Sequence, residues 1–316
     1  MKLTNEQVLQ AMLCMTRQCW EQGMAAQALL ETGQRELLEL VVYDMVLRQS
    51  QDGRLCNVEN TPAITDSAFC VPAVQAVADE QNNREYREAV DKNITFFLEQ
   101  ADRADDGTLF HMIHTKEIWA DSAAFLPYAL AINGHREEAL RQIKGICARL
   151  YQEESGLYYH IWDDAGRNYM RPLAWGVGNG WILTGLMRLL LIWDEEGPER
   201  KWLENRFYDL LERLLKLETQ AGGFADILDQ PDSFAESETA AMIAYVIYRS
   251  VKENLLDDTY LYTADRIRSA LHQKVTAAGL VMNAASSPAF DRPGTSVECQ
   301  AHFLLMEFYY ENVRIS

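Results

Sequence analysis

The sequence opens without a long apolar run. Its start, "MKLTNEQVLQAMLCMTRQ", breaks apolar residues with polar ones at every turn, so it offers neither a signal-peptide segment nor a membrane span. Basic residues are scarce: 29 Lys and Arg stand against 47 Asp and Glu, a formal charge of −18. Over the whole molecule that charge repels phosphate backbones and anionic lipid, which excludes nucleic acid and membrane surfaces as expected partners. The six cysteines (Cys14, Cys19, Cys56, Cys70, Cys147, Cys299) show no C-x-x-C spacing, and no H-E-x-x-H occurs. Neither a metal nor another cofactor is expected. Thiols in helix-type apolar surroundings fit a reducing compartment, so a cytoplasmic protein is expected. Strand-like alternation is nearly absent.

What the sequence does contain is helical periodicity. "REYREAVDKNITFFLEQ", "HREEALRQIKGICARLY" and "RKWLENRFYDLLERLLKL" place apolar residues at three- and four-residue intervals with charges between them. Between helices one phrase returns, as "QDGRL", "DDGTLFH", "ESGLYYH", "AGGFAD" and "AAGLVM", with its glycine at Gly53, Gly107, Gly156, Gly223 and Gly279. Such a spacing accommodates two helices and their connections, which makes the repeating unit a helical hairpin. A second series of helices opens near Trp20, Asp66, Asp121, Gly180, Glu236 and Ser296 and is rich in Ala, Leu, Met and aromatics. Its partners, at 35–50, 84–100, 136–151, 199–217 and 257–274, are amphipathic. Helices apolar all round are buried and amphipathic ones line the outside. The pattern predicts an all-α (α/α)6 barrel, six inner and six outer helices in one toroid spanning 1–316, with an open solenoid of hairpins as the alternative.

In a closed toroid the inner helices present their N-terminal ends to one mouth. There the sequence places Trp20 and Glu21, Asp66, Trp119 and Asp121, Trp175 and Trp181, Glu236, Glu238 and Glu298. Indole faces stack on pyranose rings, and carboxylates bond hydroxyls and supply acid–base chemistry. A single Asp at a helix start is more commonly an N-cap. A set of acids and tryptophans on one rim points instead to a sugar site. The phrase "WGVGNGW" is read as a glycine-rich turn ahead of a helix near Gly180, able to fold a loop against the mouth. His111 and His114, in "LFHMIH", are read as satisfying local hydrogen bonds.

The motifs resemble a known family. "WEQG" (Trp20 to Gly23), "IWADSAAF" (Ile118 to Phe125), "SGLYYHIWDDAG" (Ser155 to Gly166), "WGVGNGW" (Trp175 to Trp181), "DQPDSFAESETAAMIAY" and "GTSVECQAHFLL" follow in order the segments of the unsaturated glycuronyl and rhamnogalacturonyl hydrolases, glycoside hydrolase family 105, and the related family 88. The resemblance covers nearly the whole chain and implies the (α/α)6 fold. It implies further that a small oligosaccharide bearing a 4,5-unsaturated uronic acid is the substrate, and that hydration of the double bond releases that sugar. By this resemblance Asp121 is the catalytic acid and base, kept protonated by apolar neighbours such as Trp119. Asp66 corresponds to a second aspartate. His160, Trp119, Trp175, Trp181, Trp20 and Glu21 are expected to bind substrate. Val177 stands where the family has arginine, which leaves Arg171, six residues earlier, as the candidate partner of the uronate carboxylate. Two other readings fit the toroid: a sugar epimerase with catalytic His160 and a supporting Asp121, and a carbohydrate-binding descendant without turnover.

Overall fold

A computed structural model describes residues 3–58, 61–287 and 289–314. Its described residues form twelve α-helices: α1 (Leu3–Met15), α2 (Cys19–Glu31), α3 (Arg35–Leu47), α4 (Val71–Gln81), α5 (Arg84–Thr95), α6 (Leu126–Ile132) and α7 (Arg136–Leu150) in the first half. The second half adds α8 (Gly176–Ile192), α9 (Pro198–Leu215), α10 (Ser237–Lys252), α11 (Leu261–His272) and α12 (Val297–Val313). None of them is long and apolar enough to cross a membrane.

The chain divides into two compact units interleaved in sequence. Unit I comprises Thr16–Leu150 and His160–Pro172, and unit II comprises Met1–Met15, Tyr151–Tyr159 and Leu173–Ser316. In unit I, α2 packs on α3, α4 on α5 and α6 on α7. Unit II pairs α8 with α9, α10 with α11, and α12 with α1. The last pair joins the two ends of the chain, so the sixth amphipathic partner is the first helix rather than one that follows α12. Burial separates the two series as the sequence pattern requires. Every residue of α8 from Gly176 to Leu190 is buried, whereas its partner α9 buries only Leu203, Phe207, Leu210, Leu211 and Leu214.

The recurring glycine phrase is a recurring turn. Gly53, Gly107, Gly156 and Gly279 have positive φ (103°, 90°, 69° and 81°), and in "AGGFAD" the left-handed residue is Gly222 (φ 77°) rather than Gly223. Left-handed backbone is open to glycine because it lacks a Cβ. In four of the turns the hydrogen bonds repeat residue for residue. Gly53, Gly107, Gly222 and Gly279 each donate N–H to the carbonyl three residues earlier, and that same earlier residue donates to the carbonyl following the glycine.

A buried amide side chain then secures four of the turns. Two residues after the glycine, the N–H of Leu55 donates to Asn93 Oδ1 (2.6 Å), Leu109 to Gln142 Oε1 (2.8 Å), Tyr158 to Asn179 Oδ1 (2.9 Å) and Val281 to Gln300 Oε1 (2.6 Å). All four amides are fully buried. A chain leaving a turn against the core carries a donor that water cannot reach, and an amide projecting from a helix satisfies it.

The "WGVGNGW" segment differs from expectation. Gly176, Gly178 and Gly180 lie inside α8, which starts at Gly176 and not near Gly180, and none of the three has positive φ. At Gly176 and Gly180 a Cβ would run into Thr239 and Met242 of α10. These glycines accept a helix-propensity penalty of about 1 kcal/mol each so that two buried helices can approach closely.

Asn179 holds the Tyr158 N–H and donates to the carbonyls of Tyr158 and Trp175 (both 2.9 Å). Asn179→Leu, similar in volume, should therefore lower the unfolding free energy by about 1–3 kcal/mol in urea denaturation, since it strands buried polar groups. A change within the error of extrapolation would show that the amide is dispensable.

Candidate active site

The site is assembled in unit I by a small sheet that the sequence pattern does not announce. Strands β1 (Glu117–Trp119), β2 (Tyr151–Gln152), β3 (Leu157–Tyr158), β4 (Ile161–Asp163) and β5 (Asn168–Arg171) are each two to four residues long. β1, β4 and β5 form one antiparallel sheet in which Trp119 faces Ile161 and Ile161 faces Arg171. That register places Trp119, His160 and Arg171 side by side at one end of the sheet. Arg149 of α7 braces it, donating to Asp106 (2.7 Å) and to Asp164 just past β4 (2.9 Å). Beyond β1 the backbone N–H of Ala120 donates to the His160 carbonyl (3.0 Å), and a 3-10 turn over Ala120–Ala123 carries Asp121. A matching 3-10 turn over Asp66–Phe69 carries Asp66 ahead of α4. Neither aspartate is the capping residue of its turn.

His160 is the centre of a hydrogen-bonded line. Arg171 Nη1 lies 3.0 Å from His160 Nδ1, and His160 Nε2 lies 3.0 Å from Asp121 Oδ2. A guanidinium has donors only and is always charged. His160 Nδ1 must therefore accept, which leaves the ring proton on Nε2 to be donated to Asp121. The resulting field corrects the expectation for Asp121. Burial pushes its carboxyl upward, but the electrostatic pull of the His160 and His111 rings and the hydrogen bond from His160 prevail and hold it below the usual carboxylate range. Asp121 is ionised in the resting site.

His111, read from the sequence as a local hydrogen-bonding residue, belongs to this cluster. Its Nδ1 is 2.7 Å from Thr65 Oγ1 and 3.1 Å from Ser122 Oγ, and its Nε2 is 3.7 Å from Asp66 Oδ1. The imidazole stacks on Trp119 with centroids 4.3 Å apart, while His160 meets the same indole edge-on at 5.5 Å. Burial depresses the His111 pKa to about 4, so the ring is neutral near pH 7. His114 is exposed, at φ 68°.

The structure thus brings together Asp66, Trp119, Asp121, His160 and Arg171 from the sequence set and adds His111. Trp20 is half-buried at the start of α2. Glu21 has a structural task, since its carboxylate accepts from the N–H groups of Arg17 (2.7 Å) and Gln18 (2.8 Å). Trp175 and Trp181 belong to unit II and are buried there. Trp175 donates its indole N–H to Asp226 (3.1 Å), and Trp181 packs against His302. Val177 is buried in the first turn of α8. Glu236 caps α10, accepting from the N–H groups of Glu238 (2.9 Å) and Thr239 (2.6 Å).

An imidazole just ahead of β4, bonded to an aspartate and an arginine beside an indole face, assembles the donors and acceptors that acid–base chemistry requires. The sequence matches the model of Glycosyl Hydrolase Family 88 over residues 2–311, and the chain belongs to that family. Among curated proteins it is similar to the unsaturated rhamnogalacturonyl hydrolase YesR of Bacillus subtilis (strain 168), 28% identical over 180 residues, which is 53% of this chain and 52% of that protein. The match spans about half the length of that relative. Among solved structures it resembles a possible GH105 family member from Salmonella enterica subsp. enterica serovar Paratyphi A, with a TM-score of 0.87 and 17% identity over 98% of this chain and 93% of that one. It also resembles the unsaturated glucuronyl hydrolase of Bacillus sp. GL1, with a TM-score of 0.69 and 15% identity over 94% and 85% of the two chains. These likenesses establish the fold class as (α/α)6.

The buried His111 makes the protein acid-sensitive in a defined window. Between the unfolded pKa of 6.5 and the folded value of about 4, the unfolded chain binds a proton that the native state refuses. Its contribution is complete above pH 6.5 and is lost as pH falls toward 4, by up to about 3 kcal/mol. His111→Gln should flatten the decline of unfolding free energy with acid across that window. An unchanged slope would show that His111 titrates normally in the native state.

Proposed function

We propose that this chain is a glycoside hydrolase that removes a 4,5-unsaturated uronic acid from the non-reducing end of lyase-generated oligosaccharides by hydrating its double bond. The observation that carries the reading is the Arg171–His160–Asp121 line lying against Trp119. Family membership and the names of the relatives support it. We read residues 1–316 as one glycosidase domain, a reading supported by a family match that runs from residue 2 to 311. A cytoplasmic location is supported by six cysteines that form no disulfide among the described residues.

In this reading the indole of Trp119 stacks on the sugar ring and the guanidinium of Arg171 receives the uronate carboxylate, the role that Val177 cannot perform. Asp121 protonates C4, positive charge develops at C5 with help from the ring oxygen, and water adds at C5 as a carboxylate takes its proton. The hemiketal then opens and the glycosidic link is lost. Asp66 assists binding or polarisation across His111. Because the resting site holds Asp121 ionised, the proton must be acquired as substrate binds. An arriving carboxylate supplies the drive: it engages the Arg171 guanidinium and repels the Asp121 charge, which raises the affinity of Asp121 for a proton.

The epimerase alternative asks His111 and His160 to exchange protons with substrate. A His111 with a pKa of about 4, facing Thr65 and Ser122, is a poor base near neutrality.

Asp121→Asn should keep the fold and lose at least about 10²-fold in turnover, because an amide can neither deliver the C4 proton nor act as base. Activity within a few-fold of wild type would reject the assignment. Arg171→Ala should raise KM for a free uronide more than it lowers kcat, whereas equal KM values would place the carboxylate elsewhere. Calorimetry in buffers of different ionisation enthalpy should show proton uptake when a substrate analogue binds wild type at about pH 6, and none for Asp121→Asn. Binding of wild type without uptake would contradict the substrate-loaded acid.

A further inference from the structure

Behind the Asp66 turn, three cysteines that the sequence scatters come together in unit I. Cys19 opens α2, Cys56 lies in the loop after α3, and Cys70 ends the 3-10 turn that begins at Asp66. Cys19 and Cys70 stand 51 residues apart in sequence, with their sulfurs 3.9 Å apart. The three sulfurs all lie within 4.8 Å of one another. All three residues are buried, at 2%, 0% and 0% exposure. Cys56 takes a left-handed φ of 50°, unusual for a residue with a Cβ, and the turn delivers its sulfur to the other two.

We propose that Cys19, Cys56 and Cys70 form a buried three-sulfur site for one soft divalent cation of the zinc–cadmium type. Three geometric and chemical arguments carry this. Metal–sulfur bonds of about 2.3 Å at tetrahedral or trigonal angles set sulfurs about 3.8–4.0 Å apart, and the Cys19–Cys70 separation falls in that interval. The donor set is all sulfur, which selects soft cations and rejects magnesium and calcium. Three sulfurs converge rather than two, so a Cys19–Cys70 disulfide would leave Cys56 without a partner. The Leu55 carbonyl oxygen, 3.4 Å from Cys19 Sγ, stands near enough to complete the surroundings.

Charge favours a divalent over a monovalent ion. Thiol protons leave to solvent as the metal–sulfur bonds form, so three thiolates around a divalent cation leave one net negative charge in the interior, and around a monovalent ion two. Occupancy would tie the start of α2, the Cys56 loop and the Asp66 turn to one point, so its role is to stiffen the ground on which Asp66 stands. The inference rests on the cysteine geometry and not on the proposed reaction.

The test uses the full chain, reduced and stripped by a chelator, titrated with cadmium chloride while sulfur-to-metal charge-transfer absorbance, proton release and native mass are followed. One cadmium per chain with release of protons is expected, together with a rise in Tm of at least about 3 °C. Cys19→Ser, Cys56→Ser and Cys70→Ser should each weaken binding at least about 10-fold, and Cys14→Ser and Cys147→Ser should not. If a serine variant does not fold, X-ray absorption of the wild-type cadmium complex decides. Three sulfur neighbours support the site, and a shell dominated by oxygen overturns it. No stoichiometric uptake, undiminished binding by folded Cys56→Ser, or a Cys19–Cys70 disulfide formed in place of cation binding would also overturn it.

Discussion

The hydrogen bond from His160 to Asp121, 3.0 Å long, helps keep the Asp121 carboxylate ionised. It exists in one sense only because Arg171 occupies the other ring nitrogen with a group that cannot accept. A neutral partner in place of Arg171 would let the ring turn its proton away from Asp121 and remove the hydrogen bond that helps keep the carboxylate ionised. A buried carboxylate otherwise drifts toward neutrality. The site is therefore organised around an ionised carboxylate held by an imidazole that an arginine orients.

Keeping that line straight is the work of secondary structure that contributes little to the bulk of the fold. The β1–β4–β5 sheet fixes Trp119 and Arg171 by register, the Ala120 N–H holds the His160 carbonyl beside them, and Arg149 binds the sheet to α7 through Asp106 and Asp164. Elsewhere the hairpins are closed by one device used repeatedly, a left-handed glycine followed by an N–H that a buried amide receives. The two constraints complement each other: the repeated turns return the chain to the same end of each hairpin, and the sheet then sets side-chain positions to within hydrogen-bonding distance.

The helices were legible in the sequence because their signal is periodic, and periodicity survives without knowledge of tertiary contacts. The outer helix read at 136–151 is α7 (Arg136–Leu150), and that read at 199–217 is α9 (Pro198–Leu215). The repeating glycines were legible because positive φ leaves few alternatives to glycine. Asp121 and His160 were identified by resemblance, and their geometry supports the association without testing their roles. Much of the rest is written only in three dimensions. Strands of two to four residues leave no alternating pattern, so the sheet under the site was invisible. His111 is polar and lies in a short loop phrase, and only folding stacks it on Trp119. The glycines of "WGVGNGW" carry the same letters whether they bend a turn or admit a neighbouring helix, and the second use is the one found. The cysteine cluster escaped because its members come from different hairpin segments, where local spacing carries no information.

The central claim is that this site acts on a double bond and not on the anomeric carbon. Its most direct test pairs α- and β-linked 4,5-unsaturated uronide disaccharides with their saturated counterparts, following ultraviolet absorbance of the conjugated bond alongside release of the second sugar. Loss of absorbance and release at comparable rates for both anomers, with the saturated pair untouched, is the expected result. Cleavage of a saturated uronide at a similar rate, or strict preference for one anomer, would contradict hydration and return the site to ordinary glycoside chemistry.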